Sequence, residues 1–413
     1  MSNTETRLYA FLGSGDHPDF MGTLFVSKEG GRESFSFEFQ PEFLAKHRII
    51  LDPDLAPEPG RQYPVGKALF GILRDSCPDR WGRTLLKKQE LLRARSASEP
   101  PRTLTDLDLL TGTADELRLG ALRLKTDPQG SFVSSAAAAP WSKLRELENA
   151  AYRLENDDDL KDAGALSTIL TPGLGLGGAR PKANVVASDG SLWIAKFPSK
   201  HDEFDVGAWE MVAHDLAKNC GLRVPEACLK RFSDRGATFL IKRFDREGSE
   251  RLHFASAMAM LGKEDGDRAA YSDIADFLNA HSADPARDCL ELWQRLLLNL
   301  LISNTDDHLR NHGFLLTPQG WRLSPLYDVN PNPYGRELAL TIDSASTECS
   351  VEAAVEAAER LGVHRLTAES LAVSTAKYIN MQWRRISSFY RIRCKEAERM
   401  KSAFARAGEI CRQ

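Results

Sequence analysis

Cysteine is sparse and scattered in this sequence: seven among 413 residues, at positions 77, 220, 228, 289, 349, 394 and 411. The count is odd and no two form a CxxC, so neither a disulfide framework nor a zinc site organises the chain. Long apolar runs are missing as well. The longest, near Leu296–Ile302, falls far short of the ~20 residues that span a bilayer. The start, MSNTETRLYAFLG, lacks the basic-then-apolar order of a secretory leader. These absences predict a cytoplasmic protein with no membrane partner. Charge of one sign is also lacking, because Lys+Arg 54 against Asp+Glu 58 leaves a net of −4. No whole-molecule field therefore favours nucleic acid or an acidic membrane, and any such partner must be met by a local patch. Gly (29) and Pro (20) are near average, which excludes collagen-like and disordered classes. No repeat occurs at periods of 20–50 residues.

What is present predicts an α+β protein of two or three domains. The stretches RLYAFLG, GTLFVS and SFSFEF read as short strands, and 67–92 as one or two helices after them. The small, polar run DPQGSFVSSAAAAP at 126–140 is the best linker candidate, and a helix is expected over Trp141–Glu155. The acidic turn Asp157–Asp159 reads as a solvated segment without function. KANVVAS and SLWIAKF, separated by Asp189-Gly190, form the strongest hairpin signal in the chain. A helix over Val206–Cys220 and strands near Cys228–Phe232 and Thr238–Phe244 follow. Beyond 250 the periodicity is helical, apart from a strand-rich interval at 313–328. The expected domains are a β-rich module over 1–130, a strand-rich lobe over 131–250 and a helical lobe over 251–413.

Three features carry chemistry. The segment Gly173-Leu-Gly-Leu-Gly-Gly178 satisfies GxGxxG, but a dinucleotide fingerprint needs a strand before it and a helix after it. Here Pro181 and the β-rich KANVVAS follow, so the glycines enter a hairpin. No Walker A loop is present, since Gly60 to Gly66-Lys67 has one residue too many and lacks the Ser/Thr. A glycine loop between strands can lay its backbone N–H groups over ATP phosphates, as in protein kinases; its bland counterpart is a flexible surface turn. Lys196 is the second feature. Alternation places it with Leu192 and Ile194 on one strand face, making it either an edge residue or a buried cation held by an anion, for which Glu210 in the next helix is the natural candidate. The third is LLLNLLISNTDDHLRN, an apolar helix running into a polar loop. Within it Asp306 and Asn311 have the D-x-x-x-x-N spacing of the kinase catalytic loop, which Asp307 does not. Asp328 ends the strand-like WRLSPLYDV, where a kinase puts its second metal-binding acid. Asn and Asp oxygens suit Mg²⁺. His308 and His312, four apart, could share a helix face, but no HExxH supports zinc. They read as structural residues, His308 alternatively as nucleotide-facing.

Together GGARPK (177–182), IAKF (194–197), KRFDR (242–246), NTDDHLRN (304–311) and SPLYDV (324–329) resemble the HipA family of bacterial toxin kinases in order and spacing. DSCPDRWGR (75–83) and DELRLGALRL (115–124) resemble its N-terminal region, so the likeness covers nearly the whole chain. The resemblance implies a two-lobed, protein-kinase-like fold that uses ATP and Mg²⁺ to phosphorylate protein Ser or Thr. It makes Asp306 the proton acceptor, Asn311 and Asp328 the metal ligands, and Lys196 the holder of the phosphates. Gly177, Gly178, Ala179, Arg180, Pro181 and Lys182 would form the loop above them. Lys242, Arg243 and Phe244 would form the hinge that reads adenine through its backbone, with His308, Leu309, Arg310, Asn311 and Tyr327 against the nucleotide. The family's known targets include aminoacyl-tRNA synthetases, whose inactivation halts translation and growth and produces dormancy. Its usual partner is HipB, a helix-turn-helix antitoxin with which it represses its own operator. One departure stands out. Several members carry an autophosphorylated serine in the loop, and the corresponding residue here is Gly175, with Ser167, Thr168 and Thr171 just upstream as ordinary polar residues or substitutes.

Two other functions fit the same motifs: a kinase of a small hydroxylated molecule, and a non-catalytic corepressor of the antitoxin. Residues 377–413 hold ten Lys/Arg and three Glu, a net of +7, which leaves −11 for 1–376. The plain reading is a packed final helix with a solvated basic face, and the sharper one is a face that approaches operator DNA within an antitoxin complex.

Overall fold

Alternating apolar and polar residues near the N-terminus build an antiparallel sheet. Strands β1 (Thr6–Leu12), β2 (Asp19–Glu29) and β3 (Arg32–Phe39) are joined by β4 (Arg61–Gln62) and β5 (Leu122–Lys125) in the order β4-β3-β2-β1-β5. Leu8, Leu24 and Phe37 are successive cross-strand partners and are buried, so one face forms the core, as a period of two requires. The computed structural model describes residues 5–15, 17–134, 137–157, 161–174, 178–343 and 350–412. They fall into two compact units, Met1–Lys200 with Lys242–Glu264, and His201–Ile241 with Asp265–Gln413.

In the first unit, helices α1 (Pro41–Lys46), α2 (Gly71–Asp75), α3 (Arg80–Ala97) and α4 (Asp106–Gly112) follow the sheet strands. The expected helical stretch at 67–92 is thus two helices, divided by Ser76–Asp79. A capping box of Thr105 and Asp108 starts α4. The 126–140 stretch is not wholly a spacer: Phe132 bridges Lys125, and β6 (Ala139–Pro140) runs parallel to β7 (Lys182–Val186). Helices α5 (Leu144–Glu155) and α6 (Ala163–Gly173) lie between them in sequence, and β7 forms a hairpin with β8 (Leu192–Lys196). The glycine segment therefore follows a helix and precedes a strand, the reverse of a dinucleotide fingerprint. Residues 242–264 return to this unit through buried charge. Arg243 and Arg246 pair with Asp245, Arg123 and Arg251 pair with Asp115, and Asp245 also accepts the Gly120 N–H at 2.8 Å.

The second unit contains α7 (Val206–Asn219), the antiparallel pair β9 (Ala227–Ser233) and β10 (Gly236–Lys242), and helices at Tyr271–His281 and Pro285–Leu301. A hairpin of Gly313–Thr317 and Gly320–Leu323 follows, then helices that include Arg365–Phe389. Trp383 stacks on Phe404 with centroids 4.5 Å apart, fixing the C-terminal helices to the core. The Arg365–Phe389 helix buries only a narrow stripe, Ala368, Ala372, Ala376, Ile379, Trp383 and Ser387. Arg384 pairs with Glu398, while Arg385, Arg391 and Arg393 stand exposed, a solvated basic face. Among the described residues no helix is long and apolar enough to cross a membrane.

Candidate active site

The polar loop is set by how its helix ends. Pro285–Leu301 starts with Pro at its first turn and Asp284 capping the Arg287 N–H. It stops in a Schellman arrangement: Ser303 has φ +52, its N–H bonds Leu300 O, and the Asn304 N–H bonds Asn299 O at 2.8 Å. The chain leaves the helix at a defined angle, held by Asn332, whose N–H meets Ser303 O and whose amide donates to Thr305 Oγ1 at 2.9 Å.

The two adjacent acids then face opposite ways. Asp307 is buried and bonded by the Tyr271 hydroxyl and by His312 Nε2 at 3.0 Å. Asn299 donates to Tyr271 Oη at 2.9 Å and accepts from Asn304 at 3.0 Å, so a chain of side chains runs from the helix to the loop. Burial disfavours the Asp307 anion, but His312 and the Tyr271 hydroxyl outweigh it and hold the carboxyl below its ordinary range. Burial and Asp307 together push the Tyr271 hydroxyl well above its usual value. Asp306, in contrast, is exposed, while its backbone carbonyl accepts Asn311 Nδ2 at 3.0 Å. That bond orients the amide and leaves Oδ1 as the atom able to meet a hard cation. His308 and His312 do not share a helix face, because the segment between them is a single 3-10 turn, Leu309–Asn311.

Asp328 does not end a strand: pairing stops at Leu323 and residues 324–328 carry no regular secondary structure. Asp328 has φ +58, a conformation uncommon for a residue with a side chain and frequent at functional sites. Its approach is fixed by Arg295, whose guanidinium meets Glu291 at 2.6 Å and Ser324 O, and by the Leu326 N–H bonded to Arg223 O at 2.8 Å. Tyr327 donates to Arg310 O at 2.7 Å, coupling this segment to the loop. Asn311 and Asp328 offer amide and carboxylate oxygens, a donor set that fits Mg²⁺ and not a soft metal.

The remaining site residues belong to the first unit. Lys196 is buried, which removes the edge-residue alternative. Lys182, its direct cross-strand partner, is buried too, with Nζ 2.7 Å from Asp79 and 3.2 Å from Gly178 O. Ala179 is exposed, Arg180 half-buried and Pro181 buried, its carbonyl accepting the Phe197 N–H at 2.9 Å. Gly177 and Gly175 lie outside the described residues. At the expected hinge, the Arg243 side chain is consumed by Asp245, Asn184 Oδ1 and the carbonyls of Leu117 and Arg118, and its N–H by Leu192 O. Sequence reasoning gave no role to Asp79, Trp81, Tyr271, Asn299 or Arg295, because the partners that reveal them, among them Lys182, Asp307 and Ser324, lie far from them along the chain.

Comparison with known proteins places the chain in a family and a fold. Residues 174–383 match the HipA-like C-terminal domain family. The serine/threonine-protein kinase toxin HipA of Shewanella oneidensis is 26% identical over 265 residues, 54% of this chain and 59% of that protein. A candidate kinase of Haemophilus influenzae is 25% identical over 186 residues, 39% of this chain and 54% of that protein. The matches thus span little more than half the length of these relatives. A chain from the Shewanella oneidensis complex of HipA, HipB and operator DNA superposes with TM-score 0.67 at 18% identity over 97% of both chains, which shows a common fold. With half of its length matched by the family's C-terminal domain and its fold shared, the chain belongs to the HipA family.

Proposed function

We propose that the protein is an ATP- and Mg²⁺-dependent kinase of protein Ser or Thr residues, acting as the toxin of a HipA/HipB-type pair. The observation that carries this reading is the division of labour between neighbouring acids: Asp307 is locked inside while Asp306 is presented outward on a loop with a fixed start. An exposed carboxylate on a rigid loop can accept a hydrogen bond from an incoming hydroxyl, orient it and take its proton.

In this reading Asn311 Oδ1 and Asp328 would hold Mg²⁺, which when bound neutralises phosphate charge. Lys196 pairs with the ATP phosphates, residues 177–182 border them, and the backbone at Lys242 and Phe244 meets the adenine. His308, Leu309, Arg310 and Tyr327 line the nucleotide side of the loop. Positioning and electrostatics then carry the reaction, with little covalent work for the protein. A HipB-like helix-turn-helix antitoxin is the proposed partner, with operator DNA reached through it. The proposed target is a protein such as an aminoacyl-tRNA synthetase, whose modification would arrest translation and growth. The test is phosphoproteomics after brief expression of wild type and Asp306→Gln. The reading requires Ser/Thr sites that gain phosphate only with wild type, and identical phosphoproteomes would refute it.

A further inference from the structure

The motif Asp79-Arg-Trp-Gly82 lies about a hundred residues before the glycine-rich segment and has no role in the reaction as described. In the first unit it meets that segment at both ends. Asp79 is the N-cap of α3, and its two oxygens do separate work: Oδ1 accepts the Gly82 N–H at 2.7 Å, and Oδ2 accepts Lys182 Nζ at 2.7 Å. The pair is closed to water, the side chains being 2% and 7% exposed. Trp81 makes two further bonds, from its N–H to Gly178 O at 3.3 Å and from Nε1 to Lys182 O at 3.1 Å. Gly178 has φ +102, so its backbone needs glycine, and its carbonyl also accepts Lys182 Nζ at 3.2 Å. On the entry side, a Cβ on Gly173 would stand 2.5 Å from Leu85 Cδ1 and 3.2 Å from Trp81 Nε1, so the end of α6 is seated against α3. Leu174 completes this seat in a cluster with Leu86 and Leu109.

We infer that Asp79 and Trp81 are positioning residues that clamp the segment Gly178–Lys182, and that the Lys182 ammonium serves this clamp and is not a phosphate ligand. The inference rests on the kinase reading for its consequence, ATP affinity, but the clamp itself can be measured without ATP. A buried ion pair holds one geometry, because both charges have given up water and separating them is costly. The N-terminal module thus sets where Gly178–Lys182 sits, giving a non-kinase part of the chain control over nucleotide binding.

The test uses the full chain with Asp79→Asn, which keeps a capping oxygen and loses the charge, with Trp81→Phe as a milder second variant and Asp79→Glu as the conservative one. Amide hydrogen exchange over 178–182 is expected to speed up in Asp79→Asn and Trp81→Phe while the strands β1–β3 keep their protection. In phosphoryl transfer, Asp79→Asn is expected to raise the KM for ATP about tenfold with kcat changed less than about threefold, and Asp79→Glu to recover part of it. Adding Lys182→Met to Asp79→Asn should cause less loss than the two single effects summed, as for partners in one interaction. Unchanged exchange over 178–182 would overturn the clamp, and so would a Lys182→Met effect that persists undiminished in the double variant, which would mark Lys182 as a direct ligand. Faster exchange with unchanged ATP KM would overturn its functional consequence. A wild type that binds and turns over no ATP would refute the kinase reading instead, with the exchange measurement still deciding the clamp.

Discussion

Lys182 and Lys196 stand directly opposite each other in the β7–β8 hairpin, two buried cations on one sheet face. Like charges in that register repel. Asp79 lies 2.7 Å from the Lys182 ammonium, and this opposite charge offsets the repulsion. Burial holds the Asp79 carboxyl above its ordinary range, with Lys182 and the Gly82 N–H offsetting only part of the rise.

Removing Lys182 takes the countercharge from the buried Asp79 carboxylate. Lys182→Met is expected to lower unfolding free energy by about 3 kcal/mol, and Lys182→Met with Asp79→Asn to recover part of the loss. Urea denaturation of the single and double variants measures both.

Asp307→Asn is expected to destabilise the fold by about 2 kcal/mol, since Tyr271 and His312 lose a buried charged acceptor. Asp306→Asn, one residue away, should change stability by less than about 0.5 kcal/mol because its side chain faces solvent. Thermal or urea unfolding of the two variants distinguishes an anchor from a presented group.

His253 supplies a pH dependence. Burial lowers its pKa from 6.5 to about 4. The unfolded chain takes up the proton near pH 6.5 and the folded chain only near 4, so the native state loses stability as pH falls through that window. The contribution is about 3 kcal/mol at most. Between pH 7 and pH 4 the stability difference between wild type and His253→Gln should shift toward the variant by that order.

Thiol reactivity should follow burial. Burial pushes the Cys77 and Cys220 thiols up to about 12 and that of Cys289 to about 11, whereas Cys394 is exposed. Iodoacetamide at neutral pH is expected to modify Cys394 before Cys77 and Cys220, and to reach the buried Cys289 only after unfolding, as peptide mass mapping would show.

Elements with local periodicity were legible from sequence: β1 to β3, the β7–β8 hairpin, α7 and the helix before the polar loop. Spacing singled out Asp306 over Asp307, and in the structure Asp307 is buried while Asp306 is exposed. What could not be read was long-range. The clamp joins Asp79 to Lys182 and the loop anchor joins Tyr271 to Asp307, and no periodicity links such partners. Helix α6 was missed because its run is short and holds Pro172 near its end. Asp328 was read as strand because SPLYDV alternates, but Arg295 binds the Ser324 carbonyl and the Leu326 N–H donates to Arg223 O, backbone groups that a further strand pair would use.

The central claim is that Asp306 serves phosphoryl transfer and not the fold. The most direct measurement is transfer of the γ-phosphate of labelled ATP with Mg²⁺ to protein in a cell lysate by purified wild type and Asp306→Asn, with unfolding curves of both. The account predicts label in protein bands with wild type, its loss in the variant by at least about a hundredfold, and coincident unfolding curves. Equal labelling by a folded Asp306→Asn would contradict it.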